Sequence, residues 1–290
     1  MPQTYDYLIA PKASFDATAD AVRALNGTNS AITWGQDGFA EAIGNERRYG
    51  SNDIASRNYT GNITLTSAAT IQNYAFASSA ITGISSETVT RAREYCFSGC
   101  TSLTSVNLPN ADAAGDGDAV GWFDGCTSLT TLNLPNASNM WNYMYRNCTS
   151  LTTIVLPALR QLGRPNSFTG DTALKTIDLG GKNKSTPNSF ANNWFQNLTS
   201  FDTLILRYST LVGLGNVGAF TGTVFASGGT GGTIYIPKTY YDALGTGTSS
   251  DYQVATNWAT VYGYGTITWA QIEGSQYENY YADGTAIPTT

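Results

Sequence analysis

The sequence predicts a β-rich solenoid, in which short units of similar sequence stack on one another and share one apolar core. The string Cys-Thr-Ser-Leu-Thr occurs three times, at Cys100–Thr104, Cys126–Thr130 and Cys148–Thr152. Each copy leads into a short segment in which apolar and polar residues alternate, as they do along a half-buried strand. Such units are too small to bury their own apolar residues, so neighbouring units must stack.

The units share the pattern Leu-x-x-φ-x-φ, where φ is an apolar residue. The first φ of successive units is Ile63, Ile84, Val106, Leu132, Ile154, Ile177, Leu204 and Ile234. A repeat length in the low twenties is typical of leucine-rich-repeat solenoids. The sequence therefore predicts about eight rungs, stacked at a strand spacing of about 4.8 Å.

Two of the units match a known pattern closely. Phe97–Pro109 and Phe123–Pro135 both read Phe-x-Gly-Cys-Thr-Ser-Leu-Thr-x-φ-Asn-Leu-Pro. They resemble the BspA-like, or type 5, leucine-rich repeats of bacterial surface proteins, some protists and many phage structural proteins. The resemblance covers roughly residues 60–240 and implies a scaffold that binds protein or glycan. It predicts a solenoid over residues 51–240, with separate ends at 1–50 and 241–290.

The N-terminal segment, residues 1–50, predicts two short helices. Ser14 is an N-cap for a helix ending at Asn26-Gly27, and a second helix runs over Gln36–Ile43. The pair resembles the leader that precedes variable modules in tail and other virion proteins of phages. The segment is either an attachment element or a cap over the first rung, and it could serve as both.

The C-terminal segment contains a predicted helix at Lys238–Leu244 and, from Gln276 onward, a tail rich in tyrosine with Tyr277, Tyr280 and Tyr281. The tail is interpreted as a pairing strand for a neighbouring molecule or as a loosely ordered end.

Composition excludes some partners. Only 12% of the residues are charged, the net charge is −6 and the pI is near 4.6, so nucleic acid is not an expected partner. No run of 18 apolar residues predicts membrane insertion. The start of the chain, Met1–Tyr7, has no basic and apolar export signal, which predicts assembly in a cytoplasm, as virion proteins require.

Three cysteines occupy one frame position, three residues after Phe97, Phe123 and Tyr145. We expect them to form a column of free, buried thiols, because parallel side chains do not give the torsion of a disulfide. A metal site of thiols is not expected, since the chain has no histidine and thiols one rung apart do not converge.

Catalysis and cofactor binding have little support in the sequence. Four acidic residues in and around the Gly-rich insert of the unit between Val106 and Leu132 are candidate calcium ligands, although a solvated turn is the alternative interpretation; they are Asp112, Asp116, Asp118 and Asp124. No cofactor and no catalytic residue is predicted, and the chain is not expected to be an enzyme.

Two surfaces are candidates for binding. Strand side chains alternate, so the residue between the two φ positions points outward. That outward column is Asn107, Asn133, Val155, Asp178, Ile205 and Tyr235, which predicts a face covered by a ligand or by a subunit. Trp141 and Tyr143 form the second candidate, in the turn of one unit, with packing of that turn as the alternative.

The sequence thus predicts a phage virion surface protein, either a receptor-binding module of the tail or a decoration or fibre of the head. Its expected partners are other virion proteins, further copies of itself, and a host surface protein or glycan. The alternative is a bacterial surface adhesin that has lost its export signal.

Overall fold

The computed structural model describes residues 32–34, 59–66, 70–71, 73–112, 120–160, 166–181, 194–208, 223, 232–246 and 268–288. Its strands, in chain order, are β1 (Ile32–Trp34), β2 (Thr60–Leu65), β3 (Thr70–Ile71), β4 (Ala80–Ser85), β5 (Arg91–Ala92), β6 (Ser105–Asn107), β7 (Thr131–Asn133), β8 (Thr153–Leu156), β9 (Thr176–Leu179), β10 (Thr203–Leu206), β11 (Thr233–Ile236) and β12 (Thr268–Gln271). One helix, α1 (Lys238–Thr246), lies within these ranges, where the sequence predicts a short helix from Lys238 to Leu244.

The strands form parallel sheets that follow the order of the repeats. One sheet has the order β1-β2-β4-β6-β7, a second has the order β8-β9-β10-β11-β12, and β3 pairs with β5. Equivalent residues of successive units are partners, as Ile84 is with Val106 and Val106 with Leu132. The predicted β-rich solenoid is therefore confirmed.

The sheets begin and end one strand beyond the predicted rungs. Ile32 of β1 pairs with Ile63 of β2, and Thr268 of β12 pairs with Thr233 of β11. The sequence pattern missed both strands because neither follows the Leu-x-x-φ-x-φ frame. The two N-terminal helices predicted around β1 lie outside the described residues.

A second ladder of main-chain hydrogen bonds links the turns that precede the strands. The N–H of Phe76 donates to the carbonyl of Cys96 at 2.8 Å, that of Phe97 to Trp122 at 3.0 Å, and that of Phe123 to Met144 at 2.9 Å. The last of these bonds connects the units of β7 and β8, between which the described strands do not pair. The turn ladder thus continues where the strand ladder is interrupted.

An aromatic column fills the core along this turn ladder. Neighbouring rings are stacked, with centroids 5.7 Å apart for Phe76 and Phe97 and 5.4 Å for Phe97 and Phe123. The column continues through Tyr145 and Phe168 to Phe195, and all its members are buried. Stacked aromatic pairs contribute about 0.5–1.5 kcal/mol each beyond the burial of their area.

The predicted inward residues are buried, with one exception. Ile63, Ile84, Val106, Ile154, Ile177, Leu204 and Ile234 are at most 3% exposed. Leu132 is only partly buried, although it packs against the core. It lies on β7, at the interruption between the two sheets, where no paired strand covers its outer side.

Candidate binding surfaces

The outward side of the parallel strands, which we call the strand face, carries two columns of side chains. Strand pairing aligns Ser105 with Thr131 and Asn107 with Asn133, and it aligns Ile205 with both Asp178 and Tyr235. In the first sheet the columns begin on β2 and β4, with Asn62 and Gly83 in one and Thr64 and Ser85 in the other. The predicted outward column therefore exists as a row within each sheet.

The strand face of the first sheet, the open half, is uncharged and accessible. Asn107, Thr131 and Asn133 are exposed, and Ser105 is half-buried. The amide nitrogen of Asn133 donates to the amide oxygen of Asn107 at 2.6 Å. The open half is thus a surface of hydroxyl and amide groups that bond to one another between strands.

Gly83 shapes the first column of the open half. A Cβ atom at this position would lie 2.5 Å from Oδ1 of Asn62 and 2.8 Å from Oγ of Ser105. The hydroxyl of Thr82 also donates to Asn62 Oδ1, at 3.0 Å. The missing side chain therefore lets two polar groups from neighbouring strands approach each other across β4.

The strand face of the second sheet, which we call the covered half, has outward residues that are buried. Asp178 and Ile205 are fully buried, so this part of the face is covered, but by the chain itself and not by the ligand or subunit that the sequence predicted. The physical reason is that the C-terminal segment, Ser275–Ile287, folds back over these strands: the N–H of Ala282 donates to Asp178 at 2.9 Å. Val155 and Tyr235 remain half-buried, and the Tyr235 ring meets the Tyr277 ring edge to face.

Arg207, directly after β10, anchors this segment. Its guanidinium donates to both carboxylate oxygens of Asp178, at 2.6 and 2.8 Å. It also donates to the main-chain carbonyls of Tyr277 at 2.7 Å and Tyr280 at 2.9 Å, and it lies 5.1 Å from the ring centroid of Tyr281. A buried charge needs such complete pairing, because an unpaired one costs several kcal/mol. The tail is thus an ordered cover of its own molecule.

The turn aromatics, Trp141 and Tyr143, lie in the turn that precedes β8 and not on the strand itself. Trp141 is half-buried and packs against the core, as the packing alternative predicted, and its carbonyl accepts a hydrogen bond from Ser167. Tyr143 is half-buried with the Arg146 guanidinium 4.2 Å from its ring centroid. Its role in binding stays a prediction.

Tyr143 belongs to a column with unusual backbone geometry. Its φ is 61°, and the equivalent residues Tyr74 and Tyr95 have φ of 58° and 50°, whereas Gly121 and Asn166 take this position in two other units. Glycine and asparagine are the residues that adopt this conformation readily. Tyr74 and Tyr95 stack at 5.4 Å, and burial, followed by the neighbouring Tyr74, raises the pKa of Tyr95. Sequence reasoning missed this column, because an isolated tyrosine gives no signal of a left-handed backbone.

The candidate calcium ligands are only partly described. Asp116 and Asp118 lie outside the described residues. Asp124 forms an ion pair with Arg146, with 2.9 Å between the Nε and Oδ1 atoms, and Asp112 accepts hydrogen bonds from the N–H and the hydroxyl of Ser138. Across the described ranges, no three His, Cys, Asp or Glu side chains form a group that could hold a metal ion.

The cysteine column lies in the core as expected. Cys96, Cys100, Cys126 and Cys148 are free and buried. The thiols of Cys100, Cys126 and Cys148 donate to the carbonyls of Phe76, Phe97 and Phe123, at 2.9, 3.1 and 3.2 Å. Burial raises the pKa of Cys126 and Cys148 well above the usual value, which disfavours the reactive thiolate.

Comparisons with solved structures find leucine-rich repeat proteins at low similarity. A leucine-rich repeat protein of T. pallidum is 14% identical over 53% of this chain and 65% of its own length, with a TM-score of 0.32. A leucine-rich cell surface protein of Faecalibacterium prausnitzii A2-165 is 12% identical over 82% of this chain and 85% of its own, with a TM-score of 0.33. Comparison with curated proteins finds no significant match. Among the described residues, no helix has the length and apolar character needed to cross a membrane.

The family comparison is decisive. The model of the BspA type leucine-rich repeat region matches six copies, over residues 55–113 and 119–210, which is more than half of the chain. These residues contain β2 to β10 with the aromatic and cysteine columns. The chain therefore belongs to the BspA type leucine-rich repeat family.

Proposed function

We propose that this chain is a non-enzymatic binding scaffold, displayed in several copies on the surface of a phage virion. It would serve either as a receptor-binding module of the tail or as a decoration or fibre of the head. The observation that carries the proposal is the open half of the strand face. It presents exposed hydrogen-bonding side chains in rows on a rigid stack, as a surface for recognition requires.

Three features support a non-enzymatic role. The chain has no histidine, and burial raises the pKa of the Cys126 and Cys148 thiols, which disfavours nucleophilic chemistry. General acid–base catalysis needs a titratable side chain beside the substrate. On the strands of the open half, the outward side chains are serine, threonine and asparagine, apart from Ala80 at the start of β4.

Attachment to a particle is proposed for residues 1–50, on the basis of their resemblance to phage leaders. Their partners would be other virion proteins, while the open half and the Trp141 and Tyr143 turn would meet a protein or glycan of the host surface. Display in many copies lets weak polar contacts add up to useful avidity.

A bacterial surface adhesin is the second candidate. Its support is the BspA type repeat itself, which fits a protein exposed on a cell surface as well as it fits one on a virion. Location separates the two candidates, because the same scaffold would serve both.

The experiment is to fractionate a culture that expresses the chain by density gradient and to detect the chain by mass spectrometry. We expect the chain to be recovered with the particles. We also expect protease to cleave the chain on intact particles. Recovery in the cell envelope without particles would support the adhesin. Recovery in neither fraction would contradict both.

Attachment is tested by deleting residues 1–30, which leaves β1 (Ile32–Trp34) in the first sheet. Incorporation into particles should be lost while the circular dichroism spectrum of the purified protein is retained. The matched double change Trp141→Ala and Tyr143→Ala should leave incorporation intact and weaken adsorption to host cells. Full incorporation of the truncated chain would show that attachment does not depend on the N-terminus.

A further inference from the structure

The two halves of the strand face differ in the chemistry of their side chains, and only one of them is covered by another segment of the chain. In the covered half, the outward column contains Ile205 and Tyr235 together with Asp178, which pairs with Arg207. The C-terminal segment of the same chain lies on these residues. Apolar, aromatic and arginine side chains are typical of contacts between polypeptides, and here a polypeptide provides the cover.

The open half lacks this composition. Its outward side chains on β2, β4, β6 and β7 are hydroxyl and amide groups, apart from Ala80 at the start of β4; they are Thr60, Asn62, Thr64, Thr82, Ser85, Ser105, Asn107, Thr131 and Asn133. A polypeptide partner would find no aromatic or aliphatic anchor here, and a charged partner would find no opposite charge. A neutral molecule rich in hydroxyl groups matches this surface.

The polar groups of the open half are also held in place. Thr64 and Ser85 lie 3.1 Å apart through their hydroxyl oxygens, Thr82 bonds to Asn62, and Asn133 bonds to Asn107. Each asparagine amide provides two N–H donors and an oxygen with two lone pairs, so one bond to a neighbour leaves further groups for a ligand. Ordering these side chains in advance reduces the entropy lost when a ligand binds.

The groups repeat along the stack at the strand spacing of about 4.8 Å. A ligand that is itself a chain of repeating hydroxyl-bearing units can bond to several strands at once. An isolated small molecule would contact only one or two of them.

We propose that the open half of the strand face binds a neutral polysaccharide, with Asn107 and Asn133 as central ligand contacts. This inference rests on the proposed binding function and gives it a substrate class. The covered half is closed to the same ligand by the C-terminal segment.

The test uses the purified full chain and a panel of neutral oligosaccharides, namely cellohexaose, maltohexaose, chitohexaose and mannohexaose. Oligogalacturonate and hyaluronan fragments of similar length are the charged counterparts. Binding is measured by isothermal titration calorimetry. At least one neutral oligosaccharide should bind, and the charged fragments should not.

The decisive variant is Asn107→Ala with Asn133→Ala, which should weaken binding on the order of tenfold or more, since several hydrogen bonds to the ligand are lost. The matched control is Asn110→Ala with Asn136→Ala. These two residues also stand at equivalent positions of the same two units and also bond to the preceding unit, through the carbonyls of Glu87 and Pro109, but they lie outside the strand face. The control should bind as the wild type does.

Four results would overturn the proposal. In the calorimetry, the first two are binding of no neutral oligosaccharide and binding of the charged fragments alone. The third is an equal loss of oligosaccharide affinity in the two double variants. The fourth is a dimer in sedimentation that dissociates on Asn133→Lys, since a second copy would then occupy the open half. Any of these results would contradict the glycan inference alone. The proposed function would still stand if the chain were found on particles and adsorbed to host cells.

Discussion

At the residue scale, Asp171 is the most informative position. It takes the place of the cysteine column in its unit, and its carboxylate accepts the N–H of Cys148 at 2.7 Å. Within the described part of the chain, its other oxygen has no hydrogen-bond partner. Burial raises the pKa of Asp171 well above its usual value. Three earlier units have a buried cysteine at this position, and in this unit the core accommodates an ionisable side chain instead.

The raised pKa of Asp171 makes the free energy of unfolding depend on pH. At a pH between the unfolded value of about 3.9 and the higher folded value, the folded state holds a proton that the unfolded state has released. Stability contributed by this proton is present below the unfolded pKa and falls as pH rises toward the folded pKa. We predict that Asp171→Asn, which keeps the shape and an acceptor for Cys148, raises the free energy of unfolding at about pH 8 more than at about pH 5.

Urea unfolding at the two pH values checks this prediction. Asp202→Asn is the control, because Asp202 is exposed and its change should alter both values little. Two observations together would contradict a protonated Asp171 in the folded state. They are a free energy of unfolding of the wild type that rises from the lower to the higher pH, and no increase in it on Asp171→Asn.

At the element scale, the interruption between β7 and β8 predicts unequal effects of equivalent changes. Ile154 of β8 is 1% exposed, whereas Leu132 of β7 is only partly buried. Ile154→Asp should unfold the protein, because it adds an unpaired buried charge to the loss of about 1.5–3 kcal/mol of apolar burial. Leu132→Asp should be tolerated better, since its carboxylate keeps contact with water. Thermal melts of the two variants beside Ile154→Val and Leu132→Val test the difference, and equal loss in both would contradict it.

The cysteine column gives a second prediction at this scale. All four thiols are buried and unlinked, and three of them donate to main-chain carbonyls. Alkylation in native buffer should leave them unmodified, and alkylation in denaturant should modify all four, as read by mass spectrometry. A disulfide between Cys100 and Cys126, or rapid native labelling of Cys148, would show that the column is not closed.

At the scale of the whole molecule, the C-terminal segment joins distant parts of the chain. Arg207 donates to Tyr280, which is 73 residues away, and Asp178 accepts from Ala282, which is 104 residues away. We predict that Arg207→Ala lowers stability by up to about 3–5 kcal/mol and favours release of the segment, because a segment that stayed docked would keep Asp178 buried without its ion-pair partner. Limited proteolysis within Ser275–Ile287 should become faster.

A second variant separates release from the cost of the buried charge. Arg207→Ala combined with Asp178→Ala removes both charges, so much of the lost stability should return. The segment should stay accessible to protease, since its main-chain partners are still missing. If the double variant is as protected as the wild type, the ion pair does not hold the segment.

The repeating part of this protein could be inferred from its amino-acid sequence alone. The period, the inward residues from Ile63 to Ile234 other than the partly buried Leu132, and the buried cysteines could all be predicted, because each depends on contacts between equal positions of neighbouring units. Such contacts repeat, and repetition makes them visible in one sequence. The helix after the last rung could be predicted as well, from local residues alone.

Which outward residues face water depends instead on contacts between distant parts of the chain. Asp178 and Ile205 occupy the same position of the repeat as the exposed Asn107 and Asn133. The sequence predicted a cover over this face, but it did not show that the chain's own C-terminal segment supplies the cover. The cover comes from a segment that does not repeat and that is held by Arg207, far away in sequence. The interruption beside Leu132 and the left-handed tyrosines depend in the same way on how neighbouring units meet in space. Contacts that occur once, between distant residues, leave no periodic signal in the sequence, and these contacts separate the open half of the strand face from the covered half.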